Sequence, residues 1–218
     1  YLITGGAGGL GRLFADEILN CTQDAVVILC GRRALTDDLS SELNTLAAGR
    51  GQIRYQSADL GDAEQVQNLI QSIEQEHGGL NGILHAAGVL RDSYLRDKTQ
   101  AQVKEVLTPK VSGLCLLDRA SRHLKLDFMI LFSSVSAVFG SPGQADYAAA
   151  NAFMDEFARY RNQLVRQSER HGHTLSLNWP LWQDGGMQVD EATRRLISNA
   201  TGLSPMATGN GFKVLAQA

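Results

Sequence analysis

Short apolar runs rich in β-branched residues alternate with longer amphipathic segments along the chain. The short runs predict strands, and the longer segments have the 3.6-residue spacing of helices that bury one face. Such an alternation is typical of βαβ units, which build a parallel sheet with helices on both faces. The predicted strands are Leu2–Thr4, Ala25–Cys30, Gln52–Ser57, Gly82–Ala86, Asp127–Phe132 and Thr174–Asn178, and the predicted helices cover about 9–20, 37–48, 62–77, 99–122 and 146–170.

Right-handed crossovers between these units predict a Rossmann-type α/β fold, a doubly wound parallel sheet with strand order 3-2-1-4-5-6. Ligands of such sheets bind at the carboxyl ends of the strands, near the point where the strand order reverses. We therefore expect functional residues directly after the strands. Residues 181–208 contain several glycines and a proline, which predict a lid or substrate loop that covers the site.

The length of 218 residues is compatible with one α/β domain spanning 1–218. The chain begins in what reads as a strand already under way, and 212–218 ends inside an apolar helical pattern. We therefore expect a domain truncated at both ends, cut from a longer polypeptide.

Bulk composition excludes several classes of function. A formal net charge of −3 provides no basic field for nucleic acid, and no apolar run approaches the roughly 20 residues of a membrane span. The three cysteines, Cys21, Cys30 and Cys115, lie far apart and form no CxxC pair. This spacing argues against a metal site or a disulfide framework and favours a reducing cytoplasm.

The segment TGGAGGLG, residues 4–11, follows the first predicted strand and begins the first predicted helix. Its glycines match GxGxxG and also TGxxxGxG. Glycines allow the tight turn and let the N-terminal N–H groups of the helix approach a pyrophosphate. The context of strand before and helix after favours a dinucleotide site over a merely flexible turn.

The second predicted strand ends in Gly31-Arg32-Arg33, where an acidic residue would favour NAD. A guanidinium pairs with the 2′-phosphate that only NADP carries. Arg32 therefore predicts NADPH as the cofactor, whereas Arg33 is at least as compatible with pointing to solvent.

Two more strand ends carry candidate cofactor contacts. Asp59 follows the third strand and is a candidate acceptor for the adenine amino group, while the helix N-cap role belongs more naturally to Asp62. HAAGV, residues 85–89, closes the fourth strand with small residues where a cofactor must pass, although close strand–helix packing also selects alanine and glycine.

A candidate catalytic group follows the fifth strand. Tyr147 lies at the head of a predicted helix, thirteen residues after Ser134, and Asn151 shares its helix face four residues later. Ser133 and Ser136 compete with Ser134 for contact with a substrate carbonyl. A tyrosine that donates a proton near neutral pH needs its pKa lowered from about 10, which a nearby ammonium does.

Common short-chain reductases have lysine where this chain has Asn151, so the cation must come from another element. Lys110 in VLTPKVSGLCLLD lies between the fourth and fifth strands, on a segment that can line the same cleft.

The whole chain resembles the catalytic half of the ketoreductase domain of modular polyketide synthases, a complex type of short-chain dehydrogenase/reductase. The motifs that carry the resemblance are YLITGGAGGLG, HAAGV, TPKVSG, LFSSVSAVFGSPGQADYAAANAFMDEFARYR and LNWPLW. In that family lysine and asparagine exchange positions relative to ordinary short-chain reductases.

The resemblance implies a catalytic tetrad. Tyr147 is the general acid, Ser134 donates to the β-keto oxygen, Lys110 lowers the phenol pKa and contacts the nicotinamide ribose, and Asn151 orients the tetrad and its proton relay. The candidate cofactor-binding residues are Thr4, Gly5, Gly6, Gly8, Gly9, Leu10, Gly11, Arg32, Asp59, Leu60, Ala86, Ala87, Gly88 and Pro180.

The resemblance also bears on stereochemistry. The B-type class carries LDD after the fourth strand and lacks a tryptophan eight positions before the tyrosine. Here Asp92 keeps the final aspartate of Leu90-Arg91-Asp92, and Phe139 stands at the tryptophan position. Both features favour a D-configured 3-hydroxyl, although Asp92 is also compatible with an N-cap or a surface charge.

Trp182 and Met187 are candidate contacts of the acyl chain, although buried packing is the commoner fate of a tryptophan. The implied partners are an acyl carrier protein bearing a phosphopantetheine-tethered β-ketoacyl chain and neighbouring synthase domains, including an upstream structural subdomain. Two alternatives are a free-standing 3-oxoacyl-carrier-protein reductase, disfavoured by Asn151, and a catalytically silent scaffold domain, disfavoured by the intact tetrad and glycine loop.

Overall fold

Six parallel strands form one sheet in the order β3-β2-β1-β4-β5-β6 in the computed structural model, which describes residues 1–47, 49–186, 195, 198–199 and 202–217. The strand order and the α/β fold class confirm the sequence-based prediction. Strand limits differ from the predicted ones by at most two residues. The strands are β1 Leu2–Thr4, β2 Val26–Gly31, β3 Gln52–Ser57, β4 Gly82–His85, β5 Phe128–Ser134 and β6 His173–Trp179.

Helices cover both faces of this sheet, as predicted. The Asp62 carboxylate caps the third helix by accepting from the N–H groups of Glu64 and Gln65, and Gly78 ends that helix in the left-handed region. The helices are α1 Gly9–Cys21, α2 Asp37–Ala47, α3 Ala63–His77, α4 Gln100–Lys110, α5 Ser112–Ala120, α6 Ser136–Phe139, α7 Ala145–Arg166 and α8 Thr208–Gln217, with a 3₁₀ turn at Leu95–Asp97.

The single helix predicted over 99–122 is wrong, because the structure has two helices there. They meet at Val111, whose φ of −105° and ψ of −75° depart from helical geometry. Pro109 lies in the last turn of α4 and has no N–H to continue the hydrogen-bond ladder. The break places Lys110 at the carboxyl end of α4.

The core consists of two apolar layers, one on each face of the sheet. In β1, Leu2 packs into the layer formed with α3, α5 and α7, while Ile3 packs into the layer formed with α1 and α2. This alternation follows from the two-residue period of a strand. Because both faces are covered, the central strands β1, β4 and β5 and most of β2 are buried. The edge strands β3 and β6 carry more polar and exposed residues.

A buried arginine fixes α7 against the sheet. The Arg161 side chain, 1% exposed, donates to the Asp118 carboxylate of α5 at 2.7 Å and to the Thr174 hydroxyl of β6 at 2.8 Å. Charge-assisted hydrogen bonds of this kind compensate for the burial of the guanidinium. They anchor the helix that also carries Tyr147.

The two described ends of the 181–208 region pair with each other. Trp182 and Met206 form a β-bridge, and the Gln183 N–H donates to the Met206 carbonyl at 3.0 Å. Met187 lies outside the described residues, so the lid role of this region stays a prediction. Among the described residues, no helix combines the length and apolar character that a membrane crossing requires.

Candidate active site

The side chains of Lys110, Tyr147 and Asn151 converge at the carboxyl end of β5. The Lys110 Nζ lies 5.5 Å from the centroid of the Tyr147 ring and donates a 2.9 Å hydrogen bond to the Phe132 carbonyl of β5. An ammonium at this distance is attracted by the face of the ring. The separate elements α4, α7 and β5 therefore bring the predicted lysine and tyrosine together.

The Lys110 ammonium is buried, with only 3% of the residue exposed. Burial lowers the pKa of Lys110 to about 7, and the Asp155 carboxylate acts in the opposite direction. Gly88 leaves room for this side chain, because a Cβ there would lie 2.9 Å from the Lys110 Cε. At neutral pH the lysine is thus close to its own titration point.

The Tyr147 side chain is partly buried. Burial raises the pKa of Tyr147, and hydrogen bonds from the side chains of Asn151 and Ser134 lower it by less. The net direction is opposite to the lowering predicted from a nearby ammonium, because burial penalises the phenolate. Tyr147 is therefore protonated at neutral pH, which is the form that donates a proton.

Three serines compete for the carbonyl-contacting role. Ser133 and Ser136 are 4% and 6% exposed, and the Ser133 hydroxyl donates to the Asn151 carbonyl at 3.2 Å. Ser134 is partly exposed, and its hydroxyl oxygen accepts from the Ser136 N–H at 3.2 Å, so its proton is not used in that bond. These contacts favour Ser134 as the serine that can donate to a substrate.

Asn151 links the tetrad to the helix that carries it. Its Nδ2 donates to the Tyr147 carbonyl at 2.8 Å, one turn earlier in α7. Its Oδ1 is buried and has no hydrogen-bond partner among the described residues. A buried acceptor of this kind fits a proton relay or a hydroxyl of a bound cofactor.

Asp155 lies behind the tetrad and is absent from the sequence-based site. It accepts from the Ser176 hydroxyl at 2.6 Å and from the Asn178 Nδ2 at 2.8 Å. Asn178 also donates to the Ser134 carbonyl at 3.2 Å. Asp155 lies four residues beyond Asn151 and therefore on the same face of α7. This spacing is the sequence signal from which Asp155 could have been predicted as a site residue.

The glycine loop lies against the end of β4. Gly5 has a φ of +68°, and a Cβ there would lie 2.8 Å from the Ala86 carbonyl oxygen and from the Ala87 Cα. The loop then ends at Gly8, the N-cap of α1, which has no side chain to satisfy the first N–H groups of the helix. Free N–H groups at a helix N-terminus fit a pyrophosphate, so the loop is compatible with a dinucleotide.

His85 joins the glycine loop to the lysine helix. Its Nε2 donates to the Pro109 carbonyl at 3.0 Å, so its Nδ1 accepts from the Thr4 hydroxyl at 2.8 Å. Burial lowers the pKa of His85 to about 3, and the Lys110 charge adds to this effect. The imidazole is therefore neutral and belongs to the support of the site.

The remaining cofactor candidates occupy the same edge of the sheet. Arg32 and Arg33 are both exposed after β2, and the Arg33 guanidinium donates to the Ala7 carbonyl of the glycine loop at 3.3 Å. The Asp59 carboxylate accepts from the Gly61 N–H at 2.8 Å, and Leu60 is buried in the core. Pro180 directly follows β6.

The predicted substrate residues separate into two locations. The Asp92 carboxylate accepts a 2.9 Å hydrogen bond from the side chain of Gln144, which lies three residues before Tyr147. Phe139 lies on α6 and is 67% exposed. Trp182 is 4% exposed and packs against Phe14, Trp179 and Phe212. The structure thus gives Trp182 the buried packing that the sequence analysis named as its alternative.

Comparisons with known proteins agree with this geometry. The family model for the KR domain matches residues 1–184. Polyketide synthase PksN of Bacillus subtilis (strain 168) is 51% identical over 218 residues, which are 100% of this chain and 4% of that synthase. Polyketide synthase ThaG of Burkholderia thailandensis is 42% identical over 97% of this chain and 4% of its own length. The chain therefore spans a small part of these curated relatives.

Solved structures show the same relationship. A crystal structure of a ketoreductase domain from the bacillaene assembly line matches with a TM-score of 0.96 and 47% identity, over 100% of this chain and 52% of that one. An N-terminal ketoreductase from the macrolactin assembly line matches with a TM-score of 0.88 and 39% identity, over 99% of this chain and 41% of that one. The chain belongs to the KR-domain family, the ketoreductase domains found in polyketide synthases.

Proposed function

We propose that this domain uses NADPH to reduce a β-ketoacyl thioester to a β-hydroxyacyl thioester within a cytoplasmic modular polyketide synthase. The observation that carries the proposal is the buried Lys110 ammonium, 5.5 Å from the centroid of the Tyr147 ring, at the strand edge where the glycine loop begins. Burying the Lys110 ammonium beside a phenol is costly to the fold, so a catalytic use of the pair explains its presence.

The glycine loop and the first N–H groups of α1 would hold the pyrophosphate, and Arg32 would pair with the 2′-phosphate. When bound, the nicotinamide supplies hydride to the carbonyl carbon. The Ser134 hydroxyl donates to the carbonyl oxygen, and Tyr147 transfers its proton to that oxygen as negative charge develops there.

Proton transfer leaves a phenolate, which the Lys110 ammonium stabilises. Lys110 is also the candidate contact for the nicotinamide ribose. Asn151, whose Oδ1 has no partner among the described residues, would orient the tetrad and hydrogen-bond the relay through which a proton from solvent returns to the phenolate. Each of the four side chains thus has a separate task.

The substrate is proposed to be carried on the phosphopantetheine arm of an acyl carrier protein. Neighbouring synthase domains, including an upstream structural subdomain, are the other proposed partners. The similarity to synthases of which this chain covers 4% supports this context.

Substituting Tyr147→Phe removes the proposed acid and keeps the ring. We expect turnover of a β-ketoacyl N-acetylcysteamine thioester to fall by about 10²–10⁴-fold, because general acid catalysis contributes that much. NADPH consumption, followed at the nicotinamide absorbance band, measures the loss. Tyr160→Phe, at an exposed tyrosine of the same helix, is the matched control and retains activity.

Full activity of Tyr147→Phe would remove this residue from the mechanism. A wild-type chain that binds NADPH but consumes none with the thioester would instead support a silent scaffold domain.

The Lys110 pKa of about 7 predicts the pH dependence. The ammonium is present below this pH and is lost above it, so kcat/KM for the thioester is expected to fall as pH rises through about 7. Asp155→Asn should move the fall to lower pH, since the carboxylate raises the lysine pKa. A pH–rate profile measures both effects, with Lys104→Met on the exposed face of α4 as control. A profile that rises or stays flat from pH 6 to 9 contradicts this role.

The preference for NADPH over NADH tests the proposed contact between Arg32 and the 2′-phosphate. Arg32→Ala is expected to raise KM for NADPH by about 10–100-fold, the loss of one charge-assisted contact, and to leave KM for NADH nearly unchanged. The same measurement on Arg33→Ala distinguishes the contribution of Arg33 from that of Arg32. Equal efficiency of the wild type with NADPH and NADH would mean that neither arginine reads the 2′-phosphate.

We also propose the B-type stereochemical course. The Asp92–Gln144 hydrogen bond holds Asp92 beside the turn that precedes Tyr147, and Phe139 takes the place of the tryptophan of the other class. We therefore expect a D-configured 3-hydroxyl product. Chiral chromatography of the reduced thioester checks this, and a predominantly L-configured alcohol would overturn the assignment.

A further inference from the structure

A buried ion pair lies next to the tetrad without belonging to it. The Lys98 Nζ donates to both carboxylate oxygens of Asp146, at 2.7 and 2.8 Å. Their side chains are 1% and 3% exposed. Both charges are thus removed from water in a region that borders the proposed substrate path.

Each member of the pair holds a backbone group. The Asp146 Oδ1 also accepts from the Tyr147 N–H at 2.9 Å, and the Lys98 Nζ also donates to the Arg91 carbonyl at 2.7 Å. The pair therefore connects the residue that carries the phenol to the 91–98 segment, which follows β4.

Two more contacts join the same parts of the chain. The Gln144 side chain donates to Asp92 at 2.9 Å, and the Ser93 N–H donates to the Gly143 carbonyl at 3.0 Å. These two bonds are exposed or partly exposed, so water competes for them. Of these contacts between the 91–98 segment and residues 143–147, the ion pair is the one shielded from water, so water does not compete for it.

Burial makes the pair intolerant of displacement. Removing one partner leaves the other charge buried and unpaired, whereas an exposed pair is replaced by water at little cost. An ion pair needed only for stability is replaceable by apolar side chains. Here the carboxylate has a second task, because it receives the N–H of the residue that bears the proposed acid.

We propose that Lys98 and Asp146 are positioning residues that hold Tyr147 in register with the 91–98 segment and thereby determine which face of the ketone meets the phenol. This inference rests on the proposed function. It requires that the 91–98 segment, with Asp92, forms one wall of the substrate path and that the phenol forms another. Loosening the pair lets the two walls move independently.

The test uses Asp146→Asn and Lys98→Met, singly and combined, in the intact chain with NADPH and the β-ketoacyl N-acetylcysteamine thioester. Asp146→Asn keeps the shape and an acceptor for the Tyr147 N–H and removes the charge. We expect kcat to fall about 10–100-fold, the proportion of the minor alcohol isomer to rise about tenfold, and KM for NADPH to stay unchanged. The double variant should be little worse than either single one, because both remove the same interaction.

Three controls separate positioning from stability. Arg159→Met breaks the exposed pair with Glu156 on α7 and should leave the isomer ratio unchanged. Ile73→Val removes one methyl group where α3 packs into the core, and it should lower Tm without changing that ratio. Lys98→Arg keeps the charge and should recover most of the stereochemical purity.

A lower Tm with wild-type kcat and isomer ratio in both single variants would overturn the proposal and leave a purely structural pair. That result is distinct from failure of the proposed function, in which the wild-type chain itself binds NADPH and reduces no thioester.

Discussion

The site is organised around the burial of one ammonium. Moving the Lys110 charge out of water costs several kcal/mol, and three groups offset part of that cost: the Phe132 carbonyl, the face of the Tyr147 ring and the Asp155 carboxylate. These groups come from β5 and α7, whereas Lys110 itself lies in α4. The charge can therefore be accommodated only when the sheet, α4 and α7 are assembled. The same burial makes the lysine easy to deprotonate near neutral pH, which connects the stability of the fold to its proposed chemistry.

The sequence was sufficient for the architecture because the relevant signals are local. The central strands are short apolar runs, each helix has its own period, and right-handed crossovers then leave few possible strand orders. Strand topology alone identified the residues that directly follow β1, β4 and β5, because the carboxyl ends of parallel strands meet at one edge of the sheet. Lys110 and Tyr147 lie well beyond the ends of β4 and β5, so their pairing was predicted from the resemblance to the ketoreductase family.

The remaining features depend on contacts between distant positions, which no local period encodes. Lys98 and Asp146 are 48 residues apart and read separately as ordinary surface charges, yet both are buried. The break at Val111 is different, because Pro109 is a local signal that a helix ends or kinks there, and the predicted helix over 99–122 overlooked it. The direction of the Tyr147 pKa shift depends on burial, which is a property of the packed site and not of the residue types around it.

The neutral imidazole of His85 has a consequence for how the site responds to acid. It bonds the Thr4 hydroxyl at the start of the glycine loop and the carbonyl that precedes the lysine. Because burial lowers its pKa to about 3, the imidazole stays neutral in mildly acidic solution and keeps both bonds. Mild acidification therefore leaves this link between the glycine loop and the end of α4 in place.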